Sequence, residues 1–523
     1  MVSYAQNGDA AGTFLGHPKG LFVLFFAEMW ERFSYYGMRA LLIFYLTKHW
    51  LYSDSESGII YGAYTALVYI TPVVGGYLAD KYLGQRKAVL FGAVLLTLGH
   101  FFMAFEGDAA VGHVNNPVIN IFWLALALII VGSGFLKANI SVIVGQLYPR
   151  TDVRRDGAYT IFYMGINLGA AIGSLLCGYI GETYGWAYGF GLAGIGMLLG
   201  LIVFIWGKPL LLGRGEPPKP LNKNTEFTMY GLGILLVGLC WLAVQYQDLV
   251  GFVLGGFGGA LVLYVLFTAV TKLDSEARDR IFAAMFLIMT SIIFWALFEQ
   301  AGSSLNLFTD RHVDRAGVPA STFQSINAIY IILLAPIFAT LWTAMGRKGK
   351  EPSAPLKFGL GVVQVGLGFL VLVWGAKSVG VDVPTPVIFI FLIYLLHTTG
   401  ELCLSPVGLS AMNRLAPAHM ASLIMGTWFF ASATGNFAAG LIASATGAEG
   451  VGEDAGKTVV LDVYSTVGWT AVGVGIAVMI ISPLIKKLMH LDTLKDDEAA
   501  DAHLAGSGAA EPLASGTHPA THN

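Results

Sequence analysis

The sequence predicts an all-α integral membrane protein with fourteen transmembrane helices, arranged as two six-helix bundles plus an inserted helix pair. Of its 523 residues, 55% are hydrophobic and only 12% are charged, about half the charge of a soluble protein. The apolar residues form runs of about 20, the length of a helix that spans a bilayer. So few charges cannot coat several soluble domains with a polar surface. The outer surface of the protein is therefore expected to face lipid.

The apolar segments are grouped as six, two and six along the chain, and this grouping predicts the two bundles and the extra pair. The predicted spans are 21–46, 58–80, 88–106, 119–147, 160–181, 187–207, 228–247, 251–272, 281–308, 322–346, 358–378, 384–410, 421–443 and 464–488.

The distribution of Lys and Arg predicts the orientation. Twenty-two of the 30 basic residues fall in the termini and turns on the N-terminal side of the membrane, and 5 fall in turns on the other side. Basic residues concentrate in cytoplasmic turns, so both termini are predicted to be cytoplasmic. The predicted divisions are a cytoplasmic N-terminus at 1–20, an N-terminal bundle at 21–207, a linker with two extra helices at 208–280, a C-terminal bundle at 281–490 and a disordered cytoplasmic tail at 491–523.

Several functions are disfavoured by the sequence. The net charge of −3 gives no basic excess for binding nucleic acid. The stretch 189–194 matches GxGxxG but follows a spanning helix rather than a strand, and 456–458 lacks the first glycine of a P-loop. The three cysteines lie in apolar stretches and form no metal-site pattern. No ATP site, metal site or nucleic-acid partner is therefore expected.

The first predicted helix carries charges far inside its apolar run, where each charge costs at least about 2.5 kcal/mol without a partner or water. An alternative is a set of ion pairs near the membrane interface. The polar stripe comprises Glu28, Arg32, Tyr35 and Arg39 on one line, with Glu31 and Tyr36 on its margins.

Three further charges stand alone inside spans: Lys137, Glu299 and Glu401. Lys137 is predicted to face a cavity and pair with a carboxylate from another helix, and a lysine that snorkels to the membrane surface is the alternative. The lone carboxylates lie on helices that correspond to the first and fourth helices of the other bundle, which points to a central site between the halves. A glutamate that alternately gains and loses an arginine partner can take up and release a proton.

The motifs resemble those of the proton-dependent oligopeptide transporters of the major facilitator superfamily, bacterial type. Glu28–Gly37 reads EMWERFSYYG and fits the family pattern ExxERFxYY in full. Gly75–Lys87 is similar to the superfamily loop after the second helix, and Phe162–Asn167 is similar to the FYxxINxGS signature, where Ala170 replaces the serine. The resemblance implies the major facilitator fold, with the pair at 228–272 as an insertion.

The resemblance also implies roles for individual residues. Arg32 and Lys137 would receive the peptide carboxylate, and Glu401 the peptide amino group. Hydrogen bonds to the peptide backbone would come from Tyr35, Tyr36, Tyr69, Asn167 and Asn327, and side-chain pockets from Trp295 and Trp428. Proton coupling would involve Glu28, Glu31, Arg32, Lys137 and Glu299, and protonation of Glu299 or of a carboxylate of the first helix would release Arg32.

The expected function is proton-coupled import of di- and tripeptides across the bacterial inner membrane by alternating access. No catalytic residue and no cofactor is expected, with protons as the coupling ion and lipid as the surroundings. A nitrate or amino-acid carrier of the same fold is the alternative. A channel or membrane-embedded enzyme is disfavoured because the sequence lacks repeated pore-lining rings, HExxH and paired aspartates.

Overall fold

The computed structural model describes residues 8–107, 112–114, 116–149, 152, 154–447 and 453–491. Within these residues the chain is almost entirely helical, which confirms the predicted fold class. The predicted disordered tail and the first seven residues lie outside the described part, apart from Leu491.

The N-terminal half contains six long helices. The first two continue into π-helical turns at Tyr45–His49 and Ala79–Leu83. The helices are α1 (Lys19–Phe44), α2 (Asp54–Leu78), α3 (Gln85–Met103), α4 (Ile119–Gln146), α5 (Arg155–Tyr184) and α6 (Trp186–Trp206).

The remaining helices include the inserted pair, α7 and α8. They are α7 (Lys223–Gln245), α8 (Gln247–Lys272), α9 (Ser275–Phe298), α10 (Ser304–His312), α11 (Ser325–Arg347), α12 (Ala354–Val379), α13 (Ile388–Leu415), α14 (Ala421–Ala445) and α15 (Glu453–Leu488). Four two-residue strands form two ribbons: β1 (Thr13–Phe14) is antiparallel to β2 (His17–Pro18), and β3 (Val313–Asp314) is parallel to β4 (Thr385–Pro386).

All fourteen predicted spans coincide with helices. In the described part, twelve helical segments are long and apolar enough to cross a membrane. Two of the fourteen spans, α1 and α14, are outside that set, and α1 holds the charged stripe. One span differs from the prediction: 281–308 is interrupted by a 3₁₀ turn at Glu299–Gly302, which separates α9 from α10. A Cβ at Gly302 would overlap the Tyr61 hydroxyl, so a glycine is required at this turn.

Helices α1–α6 pack against one another, and α9 packs with α12–α15 around a second apolar core. The inserted pair lies outside both groups, with α7 against α4 and α2 and α8 against α14 and α9. Two seams join the groups, α2 with α14 and α5 with α11.

The two groups meet closely at the end of the molecule where α1 turns into α2, which we call the α1–α2 end; the opposite end is the α2–α3 end. Gly62 of α2 and Gly440 of α14 are so close that a Cβ on Gly62 would lie 2.6 Å from the Gly440 Cα. The Ser55 and Ser444 hydroxyls are hydrogen-bonded at 2.6 Å. The molecule is thus closed at the α1–α2 end.

Candidate functional site

A cavity lies between the two helix groups. It combines charged, hydroxyl, amide and aromatic side chains, as expected of a site for a small polar ligand with variable apolar groups. Its lining residues are Tyr36 and Arg39 of α1, Tyr69 of α2, Tyr163, Ile166, Asn167, Ala170 and Ser174 of α5, Trp295, Phe298 and Glu299 of α9 and its turn, Gln324, Asn327, Ala328 and Ile331 at α11, and Glu401 of α13.

An ion pair crosses the cavity from one helix group to the other. The Arg39 guanidinium donates a hydrogen bond to the Glu299 carboxylate at 2.5 Å, and both side chains are almost completely buried. Arg39 also donates a hydrogen bond to the Tyr61 hydroxyl at 2.6 Å. This hydroxyl has room because residue 302 is a glycine, and a Cβ there would overlap it. The break between α9 and α10 therefore positions Glu299 against α1 and α2.

Arg32 lies on the same helix as Arg39 but has different partners. Its Nε is 2.7 Å from the Glu28 carboxylate and 3.4 Å from that of Glu31. The expectation that Glu299 holds Arg32 is therefore wrong, since two turns of α1 separate the arginines and the Glu299 carboxylate is paired with Arg39. Release of Arg32 by a carboxylate of the first helix stays a prediction.

Lys137 lies beside the aromatic part of the α1 stripe. Its Nζ is 3.8 Å from the centroid of the Tyr35 ring, the geometry of a cation–π contact. Among the described residues Lys137 has no carboxylate within ion-pair distance, so its predicted pairing with a carboxylate from another helix is not observed. The Tyr35 ring, rather than a carboxylate, is the observed neighbour of the Lys137 ammonium group.

Glu401 projects from α13 into the opposite side of the cavity. Asn327 of α11 donates to the Glu401 carboxylate at 3.0 Å and to the Thr398 hydroxyl at 2.9 Å. These two bonds fix the amide and leave the Glu401 carboxylate directed at the cavity. Glu401 is buried, so a bound cationic group would interact with it in a medium of low dielectric constant.

Most of the predicted site residues come together, in two groups. Tyr36, Tyr69, Asn167, Trp295, Glu299, Asn327 and Glu401 line the cavity. The other group is not part of the cavity lining: Arg32 pairs with Glu28 and Glu31 on α1, and Lys137 of α4 contacts the Tyr35 ring of α1.

Trp428 does not line this cavity. Its buried ring packs against Phe358 at a centroid distance of 6.3 Å and against Gly408, where a Cβ would lie close to the indole. Its predicted role in a side-chain pocket is therefore not supported in this closed arrangement. The buried indole fills the core near the α2–α3 end.

Sequence reasoning missed the role of one cavity residue and two residues that bond to the cavity lining. The sequence places Arg39 in the charged stripe without indicating its role, and nothing in the sequence singles out Tyr61 or Thr398. Tyr61 and Thr398 carry ordinary hydroxyls that resemble core residues in sequence. Their importance comes only from their bonds to Arg39 and Asn327.

The charges of the cavity suggest its chemistry. With Glu299 ionised, Arg39 is neutralised and Glu401 is the remaining charge. With Glu299 protonated, Arg39 becomes a free cation opposite the Glu401 anion. Only this second state presents one positive and one negative group to a ligand. In the described part of the chain no group of three His, Cys, Asp or Glu side chains could hold a metal ion.

Comparison with known proteins gives a consistent result. A family model described as "POT family" matches residues 86–453. The peptide transporter YePEPT of Yersinia enterocolitica is 37% identical over 470 residues, covering 84% of this chain and 90% of that protein. The uncharacterized transporter YclF of Bacillus subtilis is 36% identical over 501 residues, covering 91% of this chain and 96% of that protein.

A solved structure of a peptide transporter POT in complex with sulfate has a similar fold. Its TM-score is 0.79 at 34% sequence identity, covering 94% of this chain and 100% of that chain. The similarity therefore extends over nearly the whole length of both chains.

Proposed function

Because the chain belongs to the POT family of transporters, we propose that it is a proton-coupled symporter that imports di- and tripeptides by alternating access. The observation that carries the proposal is the cavity in which Arg39, Glu299 and Glu401 converge from both helix groups. The family is one of transporters, and we assign no catalytic residue and no cofactor. Protons are the coupling ion.

The peptide is bound through its two termini. The amino group pairs with Glu401, which Asn327 orients. The carboxylate pairs with Arg39 once Glu299 is protonated, and Arg32 of α1 and Lys137, which contacts Tyr35 of α1, are further cations for it. Hydrogen bonds to the peptide backbone come from Tyr36, Tyr69 and Asn167, and from Tyr35 at the margin of the cavity. Trp295 supplies an apolar wall for the side chains of the peptide.

Proton coupling follows from competition for Arg39. Protonation of Glu299 and binding of the peptide carboxylate favour the same state. Protonation removes the charge that holds Arg39, and the peptide carboxylate replaces Glu299 as the partner of Arg39. Glu28 and Glu31 hold Arg32 in a second set of pairs, which protonation loosens in the same way. Peptide and proton therefore bind together, which is the requirement for symport.

Alternating access requires the two ends of the molecule to open and close in turn. We assign the α1–α2 end to the outside and both termini to the cytoplasm, in the bacterial inner membrane, because basic residues dominate the α2–α3 end. The closed α1–α2 end then corresponds to an inward-facing state. The moving bodies are 21–207 and 281–490, and 208–280 connects them.

The membrane potential supplies enough energy for uptake without ATP. One proton moving inward at 100 mV contributes about 2.3 kcal/mol, which sustains roughly a fifty-fold peptide gradient. Lipid is the remaining partner, and no nucleic acid or ATP is involved.

A nitrate or amino-acid carrier is the second candidate. Nitrate has no amino group, so it would leave the Glu401–Asn327 pair without a ligand. The test is competition in proteoliposomes against labelled dialanine under an imposed proton gradient. Dipeptides and tripeptides should compete, whereas competition by nitrate or free amino acids alone would overturn the proposal.

A further inference from the structure

We propose that the α2–α3 ends of the inserted helices α7 and α8 bind anionic phospholipid headgroups through Lys219, Lys223 and Lys272. Lys223 is the first residue of α7 and Lys272 the last of α8, and Lys219 lies just before α7. The two helices are antiparallel neighbours, so their lysines lie at the same end. This gives the pair a role that peptide transport itself does not require.

The three lysines are exposed and have no ion-pair partner among the described residues. The nearby carboxylates are already occupied. Glu216 pairs with Arg86 at 2.5 Å and Glu226 with Lys87 at 2.6 Å, which fastens the linker and α7 to the first bundle.

The carboxylates that follow α8 are occupied as well. Asp274 accepts the Ala277 amide as the N-cap of α9, and Glu276 pairs with Arg280. Lys272 therefore has no acidic partner within its own turn. The positive charge at this end of the pair remains available to a ligand from outside the protein.

The opposite end of the molecule shows that this availability is not a general property of its cations. Lys48 pairs with Asp310 at 2.7 Å, and Lys457 donates to the Val383 carbonyl at 2.7 Å. The remaining basic residues at the α1–α2 end are paired too: Arg311 with Asp54, Arg315 with Asp310 and Lys377 with Asp462. Among the described residues, the exposed lysines without an ion pair thus lie at the α2–α3 end of the molecule.

The surroundings of these lysines favour a lipid over a soluble anion. In an apolar 18-residue stretch of each helix, only 28% of the residues of α7 and 22% of those of α8 are buried, so both helices face the bilayer. With 23 residues, α7 is about 34 Å long, which places Lys223 at headgroup level when the apolar part lies in the core. Phe227 and Phe267, one turn inward, are exposed for contact with acyl chains.

The test is titration of the full-length protein in neutral detergent with fluorescent phosphatidylglycerol, with phosphatidylcholine of the same chain length as reference. The wild type should prefer phosphatidylglycerol. At roughly one kcal/mol per lysine near an anionic surface, the K223Q/K272Q variant should bind it about thirtyfold more weakly and bind phosphatidylcholine unchanged.

The matched control is K486Q/K487Q, which removes the same charge from the α2–α3 end of α15. Those lysines are followed in the sequence by the acidic stretch 492–498, whose negative charge disfavours binding of an anionic headgroup. The control should therefore retain wild-type affinity. Equal affinity of K223Q/K272Q and wild type would overturn the proposal, as would equal loss in both double variants. Competition by millimolar inorganic phosphate would also overturn it, because the site would then be one for free anions.

Discussion

Arg39 and Glu299 are joined by a 2.5 Å ion pair that connects α1 of the first bundle to the turn after α9 of the second. Both side chains are buried, so removing one charge leaves the other without compensation in a medium of low dielectric constant. A change in the protonation of one carboxylate therefore changes both the charge of the cavity and the attachment between the bundles.

Substitution Glu299→Gln should abolish uphill dialanine uptake driven by a proton gradient, because glutamine cannot carry the proton. Arg39 is permanently released in this variant, so exchange of labelled against unlabelled peptide should persist. The measurement is uptake and counterflow in proteoliposomes. Asp382→Asn, on an exposed turn, is the control and should transport as wild type. Unchanged uphill uptake by Glu299→Gln would refute the role of Glu299.

Substitution Glu401→Gln should weaken binding of dialanine by about 10- to 100-fold. The reason is loss of a charge-assisted bond to the peptide amino group, worth roughly 1.5–3 kcal/mol. Inhibition by N-acetylated dialanine, which has no amino-group charge, should be the same in wild type and variant. If both peptides lost affinity equally, Glu401 would have a structural role rather than a role in binding the amino group.

Substitution Lys137→Ala should reduce dipeptide uptake at least tenfold, because it removes a cation beside the Arg32 cluster and its contact with Tyr35. Lys137→Arg retains the charge and the cation–π contact and serves as the matched variant. It should keep more activity than Lys137→Ala, as measured by the initial rate of labelled dialanine uptake. Equal rates in Lys137→Ala and wild type would exclude Lys137 from recognition of the peptide carboxylate.

The helices were predictable because each span is a long apolar run, and burial of such runs in lipid needs no knowledge of tertiary contacts. The charged residues of the site were predictable for the complementary reason that a charge inside such a run is costly. Glu299 and Glu401 are examples of this second kind.

The pairing of these charges could not be predicted. Arg32 and Arg39 share one face of α1, and only the position of the break after α9 decides which of them Glu299 reaches. That break depends on Gly302 fitting against Tyr61, a residue 241 positions earlier in the chain. Trp428 illustrates the same limit, since an aromatic residue in a core helix can face the cavity or the packing core.

Acidification should loosen the N-terminal ribbon β1–β2 from the bundle. The His17 Nδ1 is 2.8 Å from the Tyr148 hydroxyl, and Arg154 binds the Gly16 carbonyl and Asp152. Burial and the Arg154 charge lower the pKa of His17 below its ordinary 6.5, so the detached state takes up the proton first. The stability of the attachment is therefore lost as pH falls below about 6.5.

Hydrogen exchange of the backbone amides at 12–17, measured between pH 8 and 5 and corrected for intrinsic rates, checks this prediction. His17→Gln should remove the pH dependence in this range. Hydrogen bonds from Arg154 lower the pKa of Asp152 below its ordinary 3.8, so its contribution should be lost only at more acidic pH. Faster exchange at high pH than at low pH would contradict the assignment.

Substitution Gly62→Ala should open the seam between α2 and α14 at the α1–α2 end. The added Cβ would lie 2.6 Å from the Gly440 Cα and 3.2 Å from the Phe437 carbonyl oxygen, and neither backbone group can rotate away. Overpacking of this kind costs about 1–3 kcal/mol, which shifts the population of the closed state by roughly 5- to 150-fold. Labelling of Ser55→Cys by a membrane-impermeant maleimide should therefore become faster and peptide uptake slower. Gly255→Ala in α8, where nothing lies within 4 Å of the new Cβ, should leave both rates unchanged. If Gly62→Ala labelled and transported like its parent, closure of this seam would not depend on the glycine contact.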